Sequence, residues 1–141
     1  MNKFMQIADE LSKQNLLTNN GGPFGAVIVK DDIVVGVGNN HVLANNDPTA
    51  HAEVMAIRDA CNKLNTHDLS GCVIYTNCYP CPMCLSAIIW ANIKTTAYGK
   101  EAWWVWVPRY AYKLDGNNVD VIFVDLDNKP IGTKYGSALP D

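Results

Sequence analysis

Four residues have types and spacings that could support metal chemistry, and they lie in two short segments. His51 and Glu53 are two positions apart in "PTAHAEVMAIRDA", and two residues separate Cys81 from Cys84 in "PCPMC". A neutral imidazole and two thiolates form a zinc-binding set that leaves one coordination position open. Glu53 could move protons beside that metal without binding it. The pattern predicts a zinc centre with His51, Cys81 and Cys84 as ligands and Glu53 as the catalytic acid and base.

The cysteines alone allow other interpretations. Cys81 and Cys84 could form a redox dithiol or part of a structural zinc site, and Cys78 extends the spacing to one that could hold part of an iron–sulfur cluster. His51 favours zinc, and the position of Cys78 before the turn indicates a residue packed beside the metal. A catalytically silent zinc-binding module stays open as the alternative, although a purely structural site is normally closed by a fourth protein ligand.

Length and composition limit the classes to which the chain can belong. It has 141 residues, of which 48% are hydrophobic, enough for the core of one domain. The sequence contains neither an apolar block of membrane-spanning length nor a signal-peptide core, so we predict a cytoplasmic protein without a membrane partner. A net charge of −3, without a run of Lys and Arg, argues against nucleic acid as a partner. Five cysteines, three of them in "CYPCPMC", do not suit a secreted disulfide framework.

Hydrophobic spacing predicts the elements that position these residues. A first helix covers residues 2 to 18, "FGAVIVK" and "IVVGVGN" form a hairpin, and Asp47 with Pro48 begins a second helix. "CVIYTN" is a central strand, "CLSAIIWA" a buried helix, and "KTTAYG" and, after an irregular segment, "VDVIFVD" add two further strands. The order predicts an α/β protein, a three-layer α/β/α sandwich with a mixed five-stranded sheet, as a single domain over residues 1–141. The tail "GTKYGSALPD" is expected to be loosely held.

Three segments, "GGPFGAVIVK", "NNDPTAHAEVMAIRDAC" and "YTNCYPCPMCLSAIIWA", resemble the cytidine/deoxycytidylate deaminase superfamily, and within it most closely the bacterial guanine deaminases. "HAE" and "PCPMC" match the zinc-deaminase signature, H-x-E followed by P-C-x-x-C. The resemblance implies a cytidine-deaminase-like fold, a Zn²⁺ cofactor and hydrolytic deamination of a free nucleobase. Guanine would be converted to xanthine with release of ammonia, by a homodimeric enzyme of purine metabolism.

The resemblance also implies the substrate-binding residues. Phe24 would stack near the base, Asn40 would form a hydrogen bond with a ring edge, and Ala52 would line the pocket. Pro80 and Trp90 complete the predicted set.

Two features differ from the guanine-deaminase pattern. Tyr79 in "CYPC" stands where those enzymes look like "CEPC". In the variant C-terminal segment, residues 101–141, the stretch "EAWWVWVPRYAYKLDG" replaces the acidic residues that complete their pocket. Its tryptophans are expected in a core or subunit interface. If they close the pocket instead, they and Pro108 would make it more apolar than a guanine site. Cytosine or another amino-substituted heterocycle is therefore the alternative substrate, followed by adenosine in tRNA.

Overall fold

The computed structural model describes residues 2–98 with their side chains and residues 103–106, 109–115 and 118–124 as backbone strands. The helices are α1 Lys3–Gln14, α2 Val42–Asn45, α3 Ala52–Leu64 and α4 Pro82–Trp90. The strands are β1 Gly25–Lys30, β2 Ile33–Asn39, β3 Cys72–Thr76, β4 Thr95–Tyr98, β5 Trp103–Trp106, β6 Arg109–Asp115 and β7 Asn118–Val124. Among these residues, no helix combines the length and the apolar character that crossing a membrane requires.

A mixed sheet forms the centre of the fold. β1 pairs antiparallel with β2 and with β3, and β3 pairs in parallel with β4, which gives the order β2-β1-β3-β4. These are four of the five predicted strands. β5 pairs antiparallel with the outer side of β4, within a segment that was predicted to be irregular.

The fifth predicted strand, "VDVIFVD", does not belong to this sheet. It corresponds to β7, which pairs antiparallel with β6 in a separate two-stranded sheet. The assignment of β7 to the main sheet was therefore wrong. A β-rich run indicates a strand, but its pairing partner is chosen by contacts that the local pattern does not encode.

The two faces of the sheet are covered by different helices. Side chains alternate along β1. Ala26 and Ile28 belong to a core cluster with residues of α3 and α4, whereas Val27 and Val29 belong to a second cluster with residues of α1. The described residues thus form an α/β/α arrangement with a mixed sheet.

Glycines let α3 lie directly on β2. A Cβ atom at Gly36 would lie 2.6 Å from the Cβ of Ala60, and one at Gly38 would lie 2.5 Å from the backbone nitrogen of Ala56. Neither position has room for a larger side chain, so strand and helix backbones approach closely. This contact fixes the height of α3 above the sheet.

α3 begins four residues later than its predicted start at Pro48. Asp47 accepts hydrogen bonds at Oδ1 from the backbone nitrogen of Thr49, at 2.9 Å, and from its hydroxyl, at 2.7 Å. The Ala50 amide donates to the backbone oxygen of Asp47. Asp47 therefore stabilises a turn rather than capping the helix. The N-cap is His51, directly before Ala52.

The carboxyl ends of β2 and β3 meet at one edge of the sheet. Asn39 at the end of β2 pairs with Gly25, and Thr76 at the end of β3 pairs with Ala26. β2 and β3 therefore run in the same direction on either side of β1. Since α4 follows β3, and α3 follows β2 after the short helix α2, both helices start at this edge.

Candidate active site

The predicted zinc ligands meet where α3 and α4 begin. Nδ1 of His51 lies 3.5 Å from Sγ of Cys81 and 3.4 Å from Sγ of Cys84. The three donor atoms lie within 4.8 Å of one another. Zinc bonds of about 2.3 Å to sulfur and about 2.0 Å to nitrogen at tetrahedral angles place sulfur and nitrogen about 3.5 Å apart. The two nitrogen–sulfur distances therefore match those of a tetrahedral zinc site to which all three residues could contribute ligands.

Local structure leaves these donor atoms available. His51 is the N-cap of α3, but its side chain forms no capping hydrogen bond, so the imidazole is free to face the sulfur atoms. Cys81 is the N-cap of α4, where its Sγ accepts a hydrogen bond from the Cys84 amide at 3.5 Å, and Pro82 occupies the first helical position. The N-terminal ends of both helices favour negative charge on the sulfur atoms.

Glu53 lies beside this donor set in the first turn of α3, and only 8% of the residue is exposed. Burial raises the pKa of its carboxyl group above the ordinary value of 4.5, against the opposing effects of hydrogen bonds from its own amide and Cys84 and of the charge on His51. A raised pKa brings proton exchange by this carboxyl closer to neutral pH. Burial also raises the pKa of the Cys84 thiol, with a further contribution from the charge of Glu53.

A cavity of about 220 Å³ adjoins Glu53. Residues of four segments line it: Phe24, Asn40, His51, Glu53, Asn77, Cys78, Tyr79 and Cys81. Of the predicted substrate-binding residues, Phe24 and Asn40 are among them. Tyr79, which replaces a carboxylate expected near the site, also lines the cavity, whereas Asn77 was missed although its position between β3 and Cys81 could have indicated it. Cys78 lines this cavity together with His51 and Cys81, in agreement with its predicted position beside the metal, but it is exposed rather than packed.

The side chains of Asn40 and Tyr79 have defined orientations at the cavity. Asn40 accepts a hydrogen bond at Oδ1 from the Val42 amide at 3.0 Å, which leaves its side-chain nitrogen as the donor available to a ligand. The ring of Tyr79 packs edge-to-face on Tyr98 of β4, with the ring centroids 4.9 Å apart. This aromatic contact fixes one wall of the cavity.

The structure does not place the other predicted substrate contacts at the cavity. Ala52 is fully buried in the core cluster beneath α3, and Pro80 is also buried. Trp90 is 65% exposed at the end of α4, about 12 Å along the helix from Pro82. The predicted roles of the tryptophan side chains between 101 and 118, of Pro108 and of the tail 132–141 lie outside the described residues.

A comparison with known families supports the interpretation of the metal ligands. The profile described as "Cytidine and deoxycytidylate deaminase zinc-binding region" matches residues 1–100. The chain belongs to this family. The predicted zinc cofactor is confirmed, since the family domain binds zinc and the His/Cys/Cys group can hold the ion.

The relatives of this chain include enzymes named for two kinds of substrate. Guanine deaminase of Bacillus subtilis (strain 168) is 51% identical over 98 residues, which cover 70% of this chain and 63% of that protein. The tRNA-specific adenosine deaminase of Aquifex aeolicus is 42% identical over 76 residues, 54% of this chain and 50% of that protein. The chain thus aligns with less than two thirds of the length of either relative.

Solved structures agree with the fold. The X-ray structure of Bacillus subtilis guanine deaminase superposes with a TM-score of 0.67 at 50% identity, covering 70% of this chain and 64% of that one. A structure of guanine deaminase from Nitrosomonas europaea gives a TM-score of 0.63 at 33% identity, covering 67% and 56%. The cytidine-deaminase-like fold predicted from the sequence is confirmed.

Proposed function

We propose that the protein is a zinc-dependent aminohydrolase that deaminates a free nucleobase, with guanine as the first candidate. One observation carries the proposal: Glu53 is buried in the wall of the same cavity that His51 and Cys81 line. A metal set that only braced the fold would need neither a buried carboxyl nor an adjoining cavity.

The metal site and Glu53 have different roles in the proposed hydrolysis. When bound in an open three-ligand site, zinc lowers the pKa of water toward 7 and so supplies a nucleophile at neutral pH. Glu53 accepts one proton from the attacking water and delivers it to a ring nitrogen; it then takes the second proton from the new hydroxyl group and delivers it to the departing amino group. The ring carbon gains oxygen and loses ammonia, so that an amino-substituted base becomes a keto base.

Cavity size and lining favour a small neutral ring as the substrate. The volume of about 220 Å³ is below the roughly 300–1,000 Å³ of sites for drug-sized ligands. Among the residues that the structure describes with side chains, the lining includes the aromatic rings of Phe24 and Tyr79, which suit stacking with a planar heterocycle, and no Lys or Arg for a phosphate. Asn40 would donate a hydrogen bond to an acceptor on the ring edge.

Guanine leads because the Bacillus guanine deaminase is the more similar of the relatives described, at 51% identity. Adenosine in tRNA is a second candidate, since relatives with that activity reach 42% identity. Cytosine or another amino-substituted heterocycle remains an alternative, because the variant C-terminal segment replaces the acidic residues that complete the pocket of guanine deaminases. Our proposal retains a single domain over residues 1–141. The homodimer and cytoplasmic location remain predictions, and light scattering of the full chain would test the former.

The decisive experiment measures ammonia release by the zinc-loaded chain from guanine, cytosine, adenine and a tRNA anticodon stem-loop. We expect guanine to react, and Glu53→Gln to lower the rate at least about 100-fold while zinc stays bound. The matched control is Glu10→Gln, the same change at an exposed position of α1. It should retain wild-type activity.

Each outcome separates the candidates. If only the stem-loop reacts, the substrate is adenosine in tRNA rather than guanine. If only cytosine reacts, the substrate is a pyrimidine base. Equal activity of Glu53→Gln and the wild type would remove Glu53 from the mechanism. A zinc-loaded chain inactive on all four compounds would leave the silent zinc-binding module.

A further inference from the structure

Two cavity residues, Phe24 and Asn40, lie on connecting segments rather than within helices or strands. Phe24 directly precedes β1 and is 40% exposed, and Asn40 directly follows β2. Their backbones are linked, because the Asn40 amide donates to the backbone oxygen of Phe24 at 3.2 Å. A ligand in the cavity therefore depends on how these two segments are held.

Asn15, at the C-terminal end of α1, joins both segments with one side chain. Its Nδ2 donates to the backbone oxygen of Gly22 at 2.8 Å and to that of Asn40 at 2.9 Å. The residue is only 5% exposed, and it is not among those that line the cavity. A primary amide supplies two donors from one atom, which a carboxylate, a hydroxyl or an apolar side chain cannot do.

The Asn40 side chain has little freedom to adjust if these segments move. A Cβ atom at Gly21 would collide with Oδ1 of Asn40, so the backbone of Gly21 lies directly against that amide. On its other side, Oδ1 accepts the hydrogen bond from Val42. A displacement of residues 21–24 therefore also displaces the Asn40 donor.

We infer that Asn15 is a positioning residue for ligand binding, acting through residues 21–24 and Asn40. It holds the Phe24 ring and the Asn40 donor at the cavity, whereas the zinc ligands and Glu53 are held separately by the starts of α3 and α4. Asn15 thus governs affinity for the base, not proton transfer. The inference rests on the proposed function for its ligand, but its structural part does not.

The test compares Asn15→Asp with the wild type in the full zinc-loaded chain. The carboxylate has nearly the same shape but offers no donor to either carbonyl. We expect KM for the deaminated base to rise about tenfold and kcat to change less than about threefold, with zinc content unchanged. In the Glu53→Gln background, where turnover is expected to be slow, the dissociation constant of the guanine analogue 8-azaguanine should rise by the same factor. Asn65→Asp places the same change at the exposed C-terminal end of α3 and is the matched control.

Hydrogen exchange provides a readout that does not depend on catalysis. The amides of Phe24 and Asn40 should exchange faster in Asn15→Asp, and those of residues 52–60 should not. If Asn15→Asp does not fold, Asn15→Ser removes the amide without adding charge and should show the same exchange pattern, with KM raised about threefold.

The alternatives give different results. Unchanged exchange at residues 21–24 and Asn40 would overturn the inference even if the chain proved inactive on every base. Loss of zinc, or a fall in kcat at constant KM, would also overturn it, because Asn15 would then act on the metal site or the chemistry. Inactivity of the wild type together with faster exchange in the variant would defeat the proposed function and retain the positioning role.

Discussion

Cys78 differs from the other cysteines in being exposed at the cavity, whereas Cys72 and Cys84 are buried and Cys61 is half-buried. Burial raises the pKa of the Cys61 thiol, so that less of the reactive thiolate is present at neutral pH. With zinc bound to Cys81 and Cys84, a limited amount of iodoacetamide should therefore label Cys78 first. Peptide mass spectrometry would locate the label, and the activity assay should show a parallel loss because the modified side chain lines the cavity.

The control for this labelling is Cys78→Ser, which should keep its activity after the same treatment. Labelling of Cys61 ahead of Cys78, or full activity of chains carrying the label on Cys78, would contradict the prediction. Either result would mean that the exposure of Cys78 does not give access to the ligand site.

Residue types and spacing predicted the metal ligands better than the residues that surround them. His51 and the two cysteines of "PCPMC" could be assigned from sequence because zinc sites use a small set of donor types at characteristic spacings. Asn15 could not be found in this way. Its role depends on reaching Asn40, 25 residues away, through a contact that no local pattern encodes.

Asp59 connects α3 to β2 and gives the fold a testable dependence on acid. Its Oδ2 accepts hydrogen bonds from the Val37 amide of β2 at 2.9 Å and from Nζ of Lys63 at 2.8 Å. Partial burial raises the pKa of the Asp59 carboxyl, but the hydrogen bonds from Lys63 and Val37 outweigh it and hold the pKa below the ordinary value of 3.8. The ionised form therefore stabilises the folded state.

Since the folded-state pKa is lowered, this stabilisation is present at neutral pH and is lost as the pH falls through that lowered pKa. We expect Asp59→Asn to lower the free energy of unfolding by about 1 kcal/mol at pH 7. The difference from the wild type should shrink below about pH 4. Urea unfolding at a series of pH values measures both effects.

Asp9→Asn is the matched control for Asp59, because Asp9 pairs with Lys13 within α1 and its carboxylate is 3.2 Å from that lysine. An ion pair inside one helix contributes only about 0.3–0.5 kcal/mol. Equal losses in the two variants, or a difference for Asp59→Asn that grows on acidification, would show that the link to β2 is not the stabilising contact.

Element boundaries show where sequence patterns stop being sufficient. The hairpin around Asp31 and Asp32 was predicted correctly, and both residues have the positive φ angles of a tight two-residue turn. The start of α3 was misplaced because Asp47 and Pro48 satisfy the rules for a helix start as well as those for a turn. Hydrogen bonds from Thr49 decide for the turn.

The zinc site connects two elements of the whole molecule, α3 through His51 and α4 through Cys81 and Cys84. Metal that binds only the folded chain adds stability, about 4 kcal/mol when free metal is about 1,000 times the dissociation constant. A chelator should therefore lower Tm by about 10 °C, as measured by calorimetry. Zinc added back should restore it.

Cys84→Ser is the informative comparison for the effect of the chelator, since Cys84 is a buried ligand. This variant should unfold at a reduced Tm that no longer responds to the chelator. A wild-type chain with one bound zinc and the same Tm in the chelator would contradict a structural contribution from the metal.

The arrangement at the sheet edge has a consequence for how the family can diversify. The zinc ligands and Glu53 lie on the starts of α3 and α4, whereas Phe24, Asn40, Asn77 and Tyr79 lie on connections before β1 and after β2 and β3. Connections tolerate exchange better than the elements they join. Selection, or a directed library restricted to these positions, can therefore change which ligand the cavity accepts while the zinc ligands and Glu53 stay in place.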